Sequence, residues 1–478
     1  MYDIVVIGAG VTGAFISRKL ARYNLNVLLI DRENDVGNVT SNANSAIIHS
    51  GYDPVPGTLK AKFNVLGNKM YDKISDELDV HFYRIGSITV ATSEAQLEML
   101  KGLLERSHEN NVEARILSKE ELRELEPNVS ENALGGLLAP TAGIIDPFNL
   151  VVHAVENAVD NGVSLHLDEE VIDIKDLKDH FVIKTNKGSY ESKLVINAAG
   201  LGCEKIARMV EDVDWHLTPR KGEYFVLDHY DLGLVNHVIF PLPSEKGKGV
   251  LVSLTSSNNY IVGPSSELVE DIEDFSTDGP TLGDIRRQAT DLIPSIPFNQ
   301  VIRVFSGIRP TTSRHDFIIE SNKANPSFIN VAGIESPGLV SAPAIAEYVV
   351  DELVSKLINL EEKKGFDPYI RKYAKLNELD NETRSKMIKE NPEYGKIICS
   401  CEKVSLGEIK DLFSRSVPPH TVKAVKKRVR AGFGKCQGGF CSPSVTLLIA
   451  KHYGISPTEV KWDKDGSEIL LEEVKNAK

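Results

Sequence analysis

The apolar positions near the start of the chain predict a strand, a helix and a second strand in close succession. An apolar run, IVVI, leads into GAGVTG, a helical pattern follows, and a second apolar run, VLLI, ends at Asp31. Gly8 permits a tight turn, Gly10 lets the backbone approach a pyrophosphate, and Gly13 allows the helix to pack closely on the strand. Asp31 is placed to accept hydrogen bonds from an adenosine ribose. The pattern predicts a dinucleotide-binding unit and leaves FAD and NAD undistinguished.

Two later segments favour FAD over NAD. SKLVINAAGLG (192–202) is an apolar strand ending in small residues, and it resembles the strand that returns to the cofactor in FAD-binding oxidoreductases. NVAGIESPGLVSAPAIAE (330–347) predicts a strand, a loop and a helix that begins near Gly338, with amides directed at an electron-rich flavin edge. Ordinary strand-to-helix turns are the alternative for each segment. Three separated cofactor segments imply insertions between them.

The length and charge of the chain indicate how many folding units it has and which kinds of partner it can bind. At 478 residues, the chain exceeds what one core usually organises, so we expect two or three folding units. No run reaches the ~18 apolar residues of a membrane span, and the opening lacks a secretory signal, so we expect a reducing, cytoplasmic setting. A net charge of -13 argues against nucleic acid as a partner. The basic run KAVKKRVR (423–430) predicts a solvated helix face or a docking site for an acidic partner.

Four of the five cysteines lie in two sequence pairs near the C-terminal end: Cys399 with Cys401, and Cys436 with Cys441. Two thiolates per iron are what a [2Fe–2S] cluster requires. Glycines 434, 438 and 439 leave backbone amides free to approach the sulfurs. A zinc site and a redox disulfide pair are the alternatives. The fifth cysteine, Cys203, follows an apolar strand and is predicted to be buried and inert.

The segment TSNANSAIIHSGYDPVPGTLKAKFNVLG (40–67) carries a family resemblance. It resembles the flavin-facing loop and helix of the glycine-oxidase-like (D-amino-acid oxidase) superfamily, in its glycerol-3-phosphate oxidase and dehydrogenase branch and the neighbouring L-2-hydroxyglutarate dehydrogenases. The resemblance covers most of residues 1 to 350. It implies that His49 is the general base, a role suited to an imidazole with a pKa near ~6.5. Covalent attachment of flavin to a histidine in this region, seen in some relatives, is the less favoured alternative.

Two more segments bear on the substrate. PSEKGKGVLVS (243–253) and FSGIRPTTSRHDFII (305–319) resemble glycerol-3-phosphate oxidase segments in which Lys248 and Arg309 match positions at the substrate phosphate. A dianionic phosphate requires cations, and a guanidinium binds it through two hydrogen bonds. The resemblance adds Ser336 to the substrate site. Arg309 would serve a carboxylate equally well, but the aromatic-rich segment expected of the hydroxyglutarate enzymes is missing at 240–255.

The same resemblance implies a set of residues that contact FAD. They are Gly8, Gly10, Gly13, Asp31, Arg32, Thr40, Ser41, Asn44, Ser45, Val171, Ala199, Gly200, Gly307, Gly338 and Leu339.

SVPPHTVKAVKKRVRAGFGKCQGGFC (416–441) resembles the bacterioferritin-associated-ferredoxin-like domain found at the C-terminus of anaerobic glycerol-3-phosphate dehydrogenases and of some opine and hydroxyproline oxidases. This implies a [2Fe–2S] cluster ligated by the four paired cysteines. A cluster is useful for one-electron relay, so we expect a dehydrogenase rather than an oxidase. Its electrons would leave to a partner flavoprotein or a membrane-bound subunit.

The expected architecture is α/β, with a Rossmann-like FAD-binding domain, an interleaved α+β substrate-binding domain and a small C-terminal iron–sulfur domain. The predicted ranges are 1–80, 145–214 and 301–360 for FAD, 81–144 and 215–300 for substrate, 361–389 for a linker and 390–478 for the cluster. The expected reaction is oxidation of sn-glycerol 3-phosphate to dihydroxyacetone phosphate. An L-2-hydroxyglutarate, other 2-hydroxyacid or secondary-amine dehydrogenase is one alternative, and an electron-transfer subunit is another.

Overall fold

A computed structural model describes residues 1–229, 233–243 and 249–472. Its strands, in chain order, are β1 (Tyr2–Ile7), β2 (Val27–Ile30), β3 (Ile47–Ile48), β4 (Phe82–Tyr83), β5 (Ser87–Ala91), β6 (Arg115–Leu117), β7 (Gly135–Ala139), β8 (Gly143–Ile145), β9 (Ser164–His166), β10 (Val171–Asp176), β11 (Phe181–Thr185), β12 (Ser189–Asn197), β13 (Arg220–Leu227), β14 (Val238–Pro241), β15 (Leu251–Leu254), β16 (Tyr260–Gly263), β17 (Glu267–Leu268), β18 (Val301–Arg309), β19 (Ile318–Ser321), β20 (Phe328–Ala332), β21 (Ile397–Cys399) and β22 (Val404–Ser405).

The α-helices follow the same chain order. They are α1 (Val11–Leu20), α2 (Leu59–Asn68), α3 (Tyr71–Glu77), α4 (Glu94–Glu109), α5 (Lys119–Leu125), α6 (Pro147–Asp160), α7 (Cys203–Ala207), α8 (Gly279–Leu292), α9 (Gly338–Tyr348), α10 (Asn381–Glu390), α11 (Leu406–Leu412), α12 (Val422–Val429) and α13 (Ser442–Tyr453). Within the described residues, no helix is both long enough and apolar enough to cross a membrane.

The first sheet contains the predicted strand–turn–helix–strand unit. Its order is β10-β11-β12-β1-β2-β9, with β20 beside β12 and β19 beside β20. Strand β1 runs parallel to both β2 and β12. The interior strands are continuous apolar runs because helices cover them, as is usual for parallel sheets. Helices α1, α6 and α9 contribute side chains to one large core on this sheet.

The second sheet is mostly antiparallel, in the order β17-β13-β16-β15-β14-β5-β7-β6, and β18 also pairs with β13. Helices α4, α5 and α8 contact this sheet. The structure differs here from the predicted domain ranges. The sequence predicts residues 301–309 in the FAD domain, but as β18 they form a ladder with β13 in the second sheet. The chain therefore returns to the first sheet after residue 309.

A small three-stranded sheet, β3-β8-β4, joins these two regions. Strand β3 pairs with β8 immediately before His49. This pairing fixes the backbone that carries the predicted base.

The predicted linker, 361–389, is packed against the first region along its first half. The amide of Lys363 donates to the carbonyl oxygen of Arg22 at 2.7 Å, and the amide of Ile370 donates to that of Glu77 at 3.1 Å. These bonds lead the chain along the first region to the C-terminal domain.

The C-terminal domain shares its core with the first region. Side chains of α11, α12 and α13 belong to the same hydrophobic cluster as those of α1 and α6. The prediction that KAVKKRVR forms a solvated face was wrong. Lys426, Lys427 and Arg428 are only 3%, 3% and 2% exposed, because α12 lies between its own domain and the loop that follows β2.

The physical reason is a buried carboxylate nearly four hundred residues earlier. Asp35 accepts two hydrogen bonds from Arg428, at 2.8 and 2.9 Å, and lies 2.7 Å from the Lys427 ammonium. The two cations hold the pKa of the Asp35 carboxyl well below its usual range, against the opposing effect of burial. The acidic partner of the basic run is thus within the chain itself.

Replacing Asp35 by Asn should destabilise the protein by about 3–5 kcal/mol, because removal of one partner leaves two buried cations without a counter-charge. Urea unfolding followed by circular dichroism measures this loss. The matched control is Asp212→Asn, whose side chain is 98% exposed and pairs with Arg208 at the surface. A loss for Asp35→Asn no larger than that of the control would contradict the proposed anchoring.

Candidate functional site

A cavity of about 760 Å³ lies where the two main sheets meet, and most of the predicted site residues line it. From the predicted set these are Gly8, Gly10, Asp31, Arg32, Thr40, Ser41, Asn44, Ser45, His49, Val171, Ala199, Gly200, Gly307, Arg309, Ser336, Gly338 and Leu339. Gly13 is not one of the lining residues. Lys248 falls outside the described residues.

The glycines of the first turn are required by close backbone packing. Gly8 has a φ of +106°, and a Cβ there would lie 2.4 Å from the carbonyl oxygen of Ala198. A Cβ on Gly13 would lie 1.8 Å from the carbonyl oxygen of Gly8. Gly13 therefore acts through helix-to-strand packing, which is the reason the sequence pattern gives for it.

Two helix N-termini are directed at the cavity without side-chain caps. Helix α1 begins after Gly10 and α9 after Pro337, and neither of these residues makes a capping bond through its side chain. In α1 the amide of Val11 donates to Ser41 Oγ at 2.9 Å. Helix N-termini carry unpaired amides and partial positive charge. The two ends fit the pyrophosphate of a dinucleotide and the electron-rich edge of a flavin.

Asp31 borders the cavity where β2 ends. Its carboxylate accepts hydrogen bonds from the amides of Ala9, at 2.5 Å, and Glu33, at 2.8 Å. Burial raises the pKa of this carboxyl to about 6, although both amide bonds favour the charged form. The neighbouring Arg32 is exposed and binds Glu273 at 2.5 Å.

His49 is held from its backbone and presents its ring to the cavity. Its carbonyl oxygen accepts from the amide groups of Asn64, at 2.7 Å, and Asn68, at 3.0 Å. Ring atom Nε2 lies 3.5 Å from Ser336 Oγ, and the ring centre lies 5.9 Å from that of Phe240. Two predicted site residues, 287 positions apart, are thereby brought together at one point of the wall.

Arg309 ends β18 and reaches the cavity beside small residues. Its Nη2 donates to the carbonyl oxygen of Ser265 at 3.0 Å, and its buried Nε has no partner among the described residues. A Cβ on Gly307 would lie 2.2 Å from the carbonyl oxygen of Ala43, so the strand approaches the loop after β2 closely. The guanidinium has donor capacity left for an anion.

Sequence reasoning missed further cavity residues. Arg220 pairs directly with Arg309 in the ladder between β13 and β18, so two guanidinium groups start from adjacent positions of the wall. Lys60 and Glu335 form an ion pair of 2.7 Å beside Ser336. The register between β13 and β18 has no local signal in the sequence, and the Lys60 contact joins segments far apart in the chain.

The four C-terminal cysteines form two spatial pairs that differ from their sequence pairs. Cys401 Sγ lies 3.8 Å from Cys436 Sγ. The Cys441 thiol hydrogen-bonds Cys399 and, as the main cause, lowers the pKa of Cys399 to about 6. Two sulfurs bound to one tetrahedral metal at about 2.3 Å are separated by about 3.8 Å. The separation of Cys401 Sγ and Cys436 Sγ therefore fits two ligands of one iron, and the hydrogen-bonded Cys399 and Cys441 form the second pair.

Backbone amides surround these sulfurs. The amide of Phe440 hydrogen-bonds the Cys436 thiol, and with those of Gly438 and Gly439 it lowers the pKa of that thiol. In the described ranges, no group of three or more His, Cys, Asp or Glu side chains is arranged to hold a metal ion. The two-and-two arrangement fits a [2Fe–2S] cluster better than a four-cysteine zinc site. Cys203 is fully buried, as predicted, and burial raises the pKa of its thiol to about 12.

Comparison with known proteins gives matches over both regions. The family of FAD dependent oxidoreductases (DAO) matches residues 3–352, and the BFD-like [2Fe-2S] binding domain matches residues 397–451. A glycerol 3-phosphate dehydrogenase of Caloramator mitchellensis is 47% identical over 98% of each chain. The dithionite-reduced L-alpha-glycerophosphate oxidase of Mycoplasma pneumoniae with FAD bound has a TM-score of 0.74 at 30% identity, covering 77% of this chain and 98% of its own. The mitochondrial L-2-hydroxyglutarate dehydrogenase of Arabidopsis thaliana is 28% identical over 74% of this chain and 83% of its own.

The affinity of the apoprotein for FAD should fall as the pH drops through about 6, the raised pKa of Asp31. Below that pH the carboxyl is neutral and accepts hydrogen bonds from ribose hydroxyls less well. Quenching of flavin fluorescence on binding, measured between about pH 8 and 5, gives the dissociation constant. Asp31→Asn should bind FAD more weakly at about pH 8 and lose this pH dependence. An equally steep pH profile in the variant would rule out Asp31 as the titrating group.

Proposed function

Because the chain belongs to the FAD dependent oxidoreductase (DAO) family and carries a BFD-like [2Fe-2S] binding domain, we propose that it is a dehydrogenase that oxidises sn-glycerol 3-phosphate to dihydroxyacetone phosphate. One observation carries the choice of dehydrogenase. The glycerophosphate oxidase from Mycoplasma pneumoniae is matched over 98% of its own length but over only 77% of this chain. The relative matched over 98% of both chains is a dehydrogenase. The match thus extends over the C-terminal region in this dehydrogenase but not in this oxidase, which favours dehydrogenase activity.

The flavin, when bound, supplies the acceptor for the hydride that leaves C2 of the substrate. His49 accepts the proton of the C2 hydroxyl at Nε2, the atom that faces Ser336 across the cavity wall. Ser336 binds the same hydroxyl and orients it towards the imidazole. General base catalysis of this kind contributes about 10²–10⁴ in rate.

The phosphate is bound by Arg309, whose buried Nε is unpaired among the described residues. Arg220, its direct neighbour across the ladder, supplies a second positive charge to the same wall. Lys248 is proposed as a further phosphate ligand from its match to the oxidase loop. Two or three cations suit a phosphate dianion better than a single carboxylate, because charge compensation in a low-dielectric cavity must be nearly complete.

Electrons leave through the C-terminal cluster. Helix α12 contacts the loop after β2, and at the cavity-lining residue Asn38 the Lys427 Nζ lies 3.3 Å from Oδ1. Just beyond its C-terminal end, the amide of Gly432 hydrogen-bonds the thiol of Cys399. The eight residues of α12 span about 12 Å, so the contact with the cavity loop and the contact with Cys399 lie close together along the chain. This proximity supports relay from the flavin to the cluster within one chain.

The substrate is tested by anaerobic mixing of the holoenzyme with single candidate substrates while the flavin absorbance is recorded. Glycerol 3-phosphate should bleach the flavin within one turnover. L-2-Hydroxyglutarate, sarcosine and hydroxyproline should not. Bleaching by L-2-hydroxyglutarate alone would instead identify a 2-hydroxyacid dehydrogenase, and a flavin unreduced by every compound would favour an electron-transfer subunit.

Substitution of His49 by Gln should slow flavin reduction by glycerol 3-phosphate by about 10²–10⁴, since the amide cannot take the hydroxyl proton. Anaerobic stopped-flow absorbance measures the rate, and the bound FAD content should equal that of the parent. His108→Gln, an exposed histidine on α4, is the matched control and should react at the parent rate. A parent-like rate in His49→Gln would remove His49 from the proton transfer.

A further inference from the structure

A small surface beside the cluster cysteines combines an exposed aromatic ring with exposed lysines, and neither feature stabilises the fold. We define this acceptor face by Cys401, Lys403, Lys435, Cys436 and Phe440. Phe440 is 85% exposed, whereas the next most exposed aromatic side chain among the described residues, Tyr369, is 54% exposed. An aromatic ring left this far in solvent gains nothing for folding, and aromatic residues are favoured at protein interfaces.

The exposed ring lies directly at the cluster site. The amide of Phe440 hydrogen-bonds the Cys436 thiol, so ring and sulfur belong to the same turn. A Cβ on Gly434 would lie 2.4 Å from the Cβ of Cys401, so the two cysteine loops are in contact. Cys401 is exposed, while Cys399 and Cys441 are buried. The accessible edge of a bound cluster is therefore the edge beside Phe440.

The two lysine side chains of this face carry a charge opposite to that of the whole protein. Lys403 and Lys435 follow and precede the two accessible cysteines, are exposed, and have no ion-pair partner in the described part of the chain. The nearby carboxylate, Glu402, is already paired with Arg430 at 2.8 Å and with His229 at 3.4 Å. These two lysines offset the net negative charge that four thiolates give a [2Fe–2S] cluster, so this edge of a chain of net charge -13 can accept an acidic partner.

We propose that this acceptor face docks an acidic one-electron carrier protein, which takes electrons from the cluster with Phe440 at the centre of the contact. The proposal rests on the proposed function for the source of the electrons. Oxidation of one substrate molecule releases two electrons and two protons. Two carrier molecules are reduced by one electron each, and the two protons pass to solvent. Such encounters bury little area and depend strongly on charge, which matches a face of one ring and two lysines.

The test uses two haem proteins as probes, acidic cytochrome b5 and basic cytochrome c. The holoenzyme is reduced with dithionite, freed of excess reductant anaerobically and mixed with each probe in a stopped-flow instrument. Cytochrome b5 should be reduced faster at low than at high ionic strength. The double variant Lys403→Glu, Lys435→Glu should lower its second-order rate constant by about tenfold or more, because steering then becomes repulsion. Phe440→Ala should lower it by about tenfold.

Matched controls separate docking from damage to the cluster. Lys364→Glu and Tyr369→Ala change an exposed lysine and an exposed aromatic ring in the predicted linker, 361–389. Both should leave the rate of cytochrome b5 reduction unchanged. All variants should keep the cluster signal in electron paramagnetic resonance and the parent rate of flavin reduction by glycerol 3-phosphate.

Three results would overturn the proposal. The first is that the face variants reduce cytochrome b5 at the parent rate. The second is that the parent protein reduces cytochrome c as fast as cytochrome b5. The third is that the parent protein is a dimer which Phe440→Ala converts to monomers, because the face would then be a self-association surface. Because dithionite supplies the electrons, failure of glycerol 3-phosphate to bleach the flavin would contradict only the proposed function.

Discussion

The buried carboxylate of Asp35 is the constraint on which the arrangement of the molecule depends. It binds Lys427 and Arg428 of the C-terminal domain, and the loop that carries it continues into residues 37–45 of the cavity wall. Three buried charges are tolerated only when all are present, since the desolvation of each is offset by the others. The C-terminal domain is therefore held against the loop that borders the cofactor cavity. The proposed relay within one chain depends on this placement.

On the side of the first sheet, the cavity offers backbone amides to the negative charge of a dinucleotide. Uncapped N-termini of α1 and α9 face it, and the strands and loops around it approach each other at glycines too closely for a Cβ. At the second sheet, strands β13 and β18 bring two positively charged side chains, Arg220 and Arg309, side by side. This division fits the proposed binding of FAD on the first sheet and of an anionic substrate between the two sheets.

The first strand–turn–helix–strand unit could be predicted because its glycine spacing and apolar runs are local. Many of the cavity residues could be predicted from the family resemblance, which matches local motifs position by position. Two features could not be predicted. The register that puts Arg220 opposite Arg309 depends on which strands meet, and it also moved residues 301–309 into the second sheet. The basic run on α12 was predicted to be solvated, since nothing near it in the sequence announces a carboxylate at residue 35.

The most direct test of the account is whether electrons from the substrate reach the cluster of the same chain. The holoenzyme is mixed anaerobically with glycerol 3-phosphate without an external acceptor and frozen at successive times. Electron paramagnetic resonance then measures the reduced cluster. We expect the cluster signal to appear within the time of one turnover, at a rate independent of protein concentration. A flavin that bleaches while the cluster stays oxidised, or a cluster signal that grows faster at higher protein concentration, would contradict it.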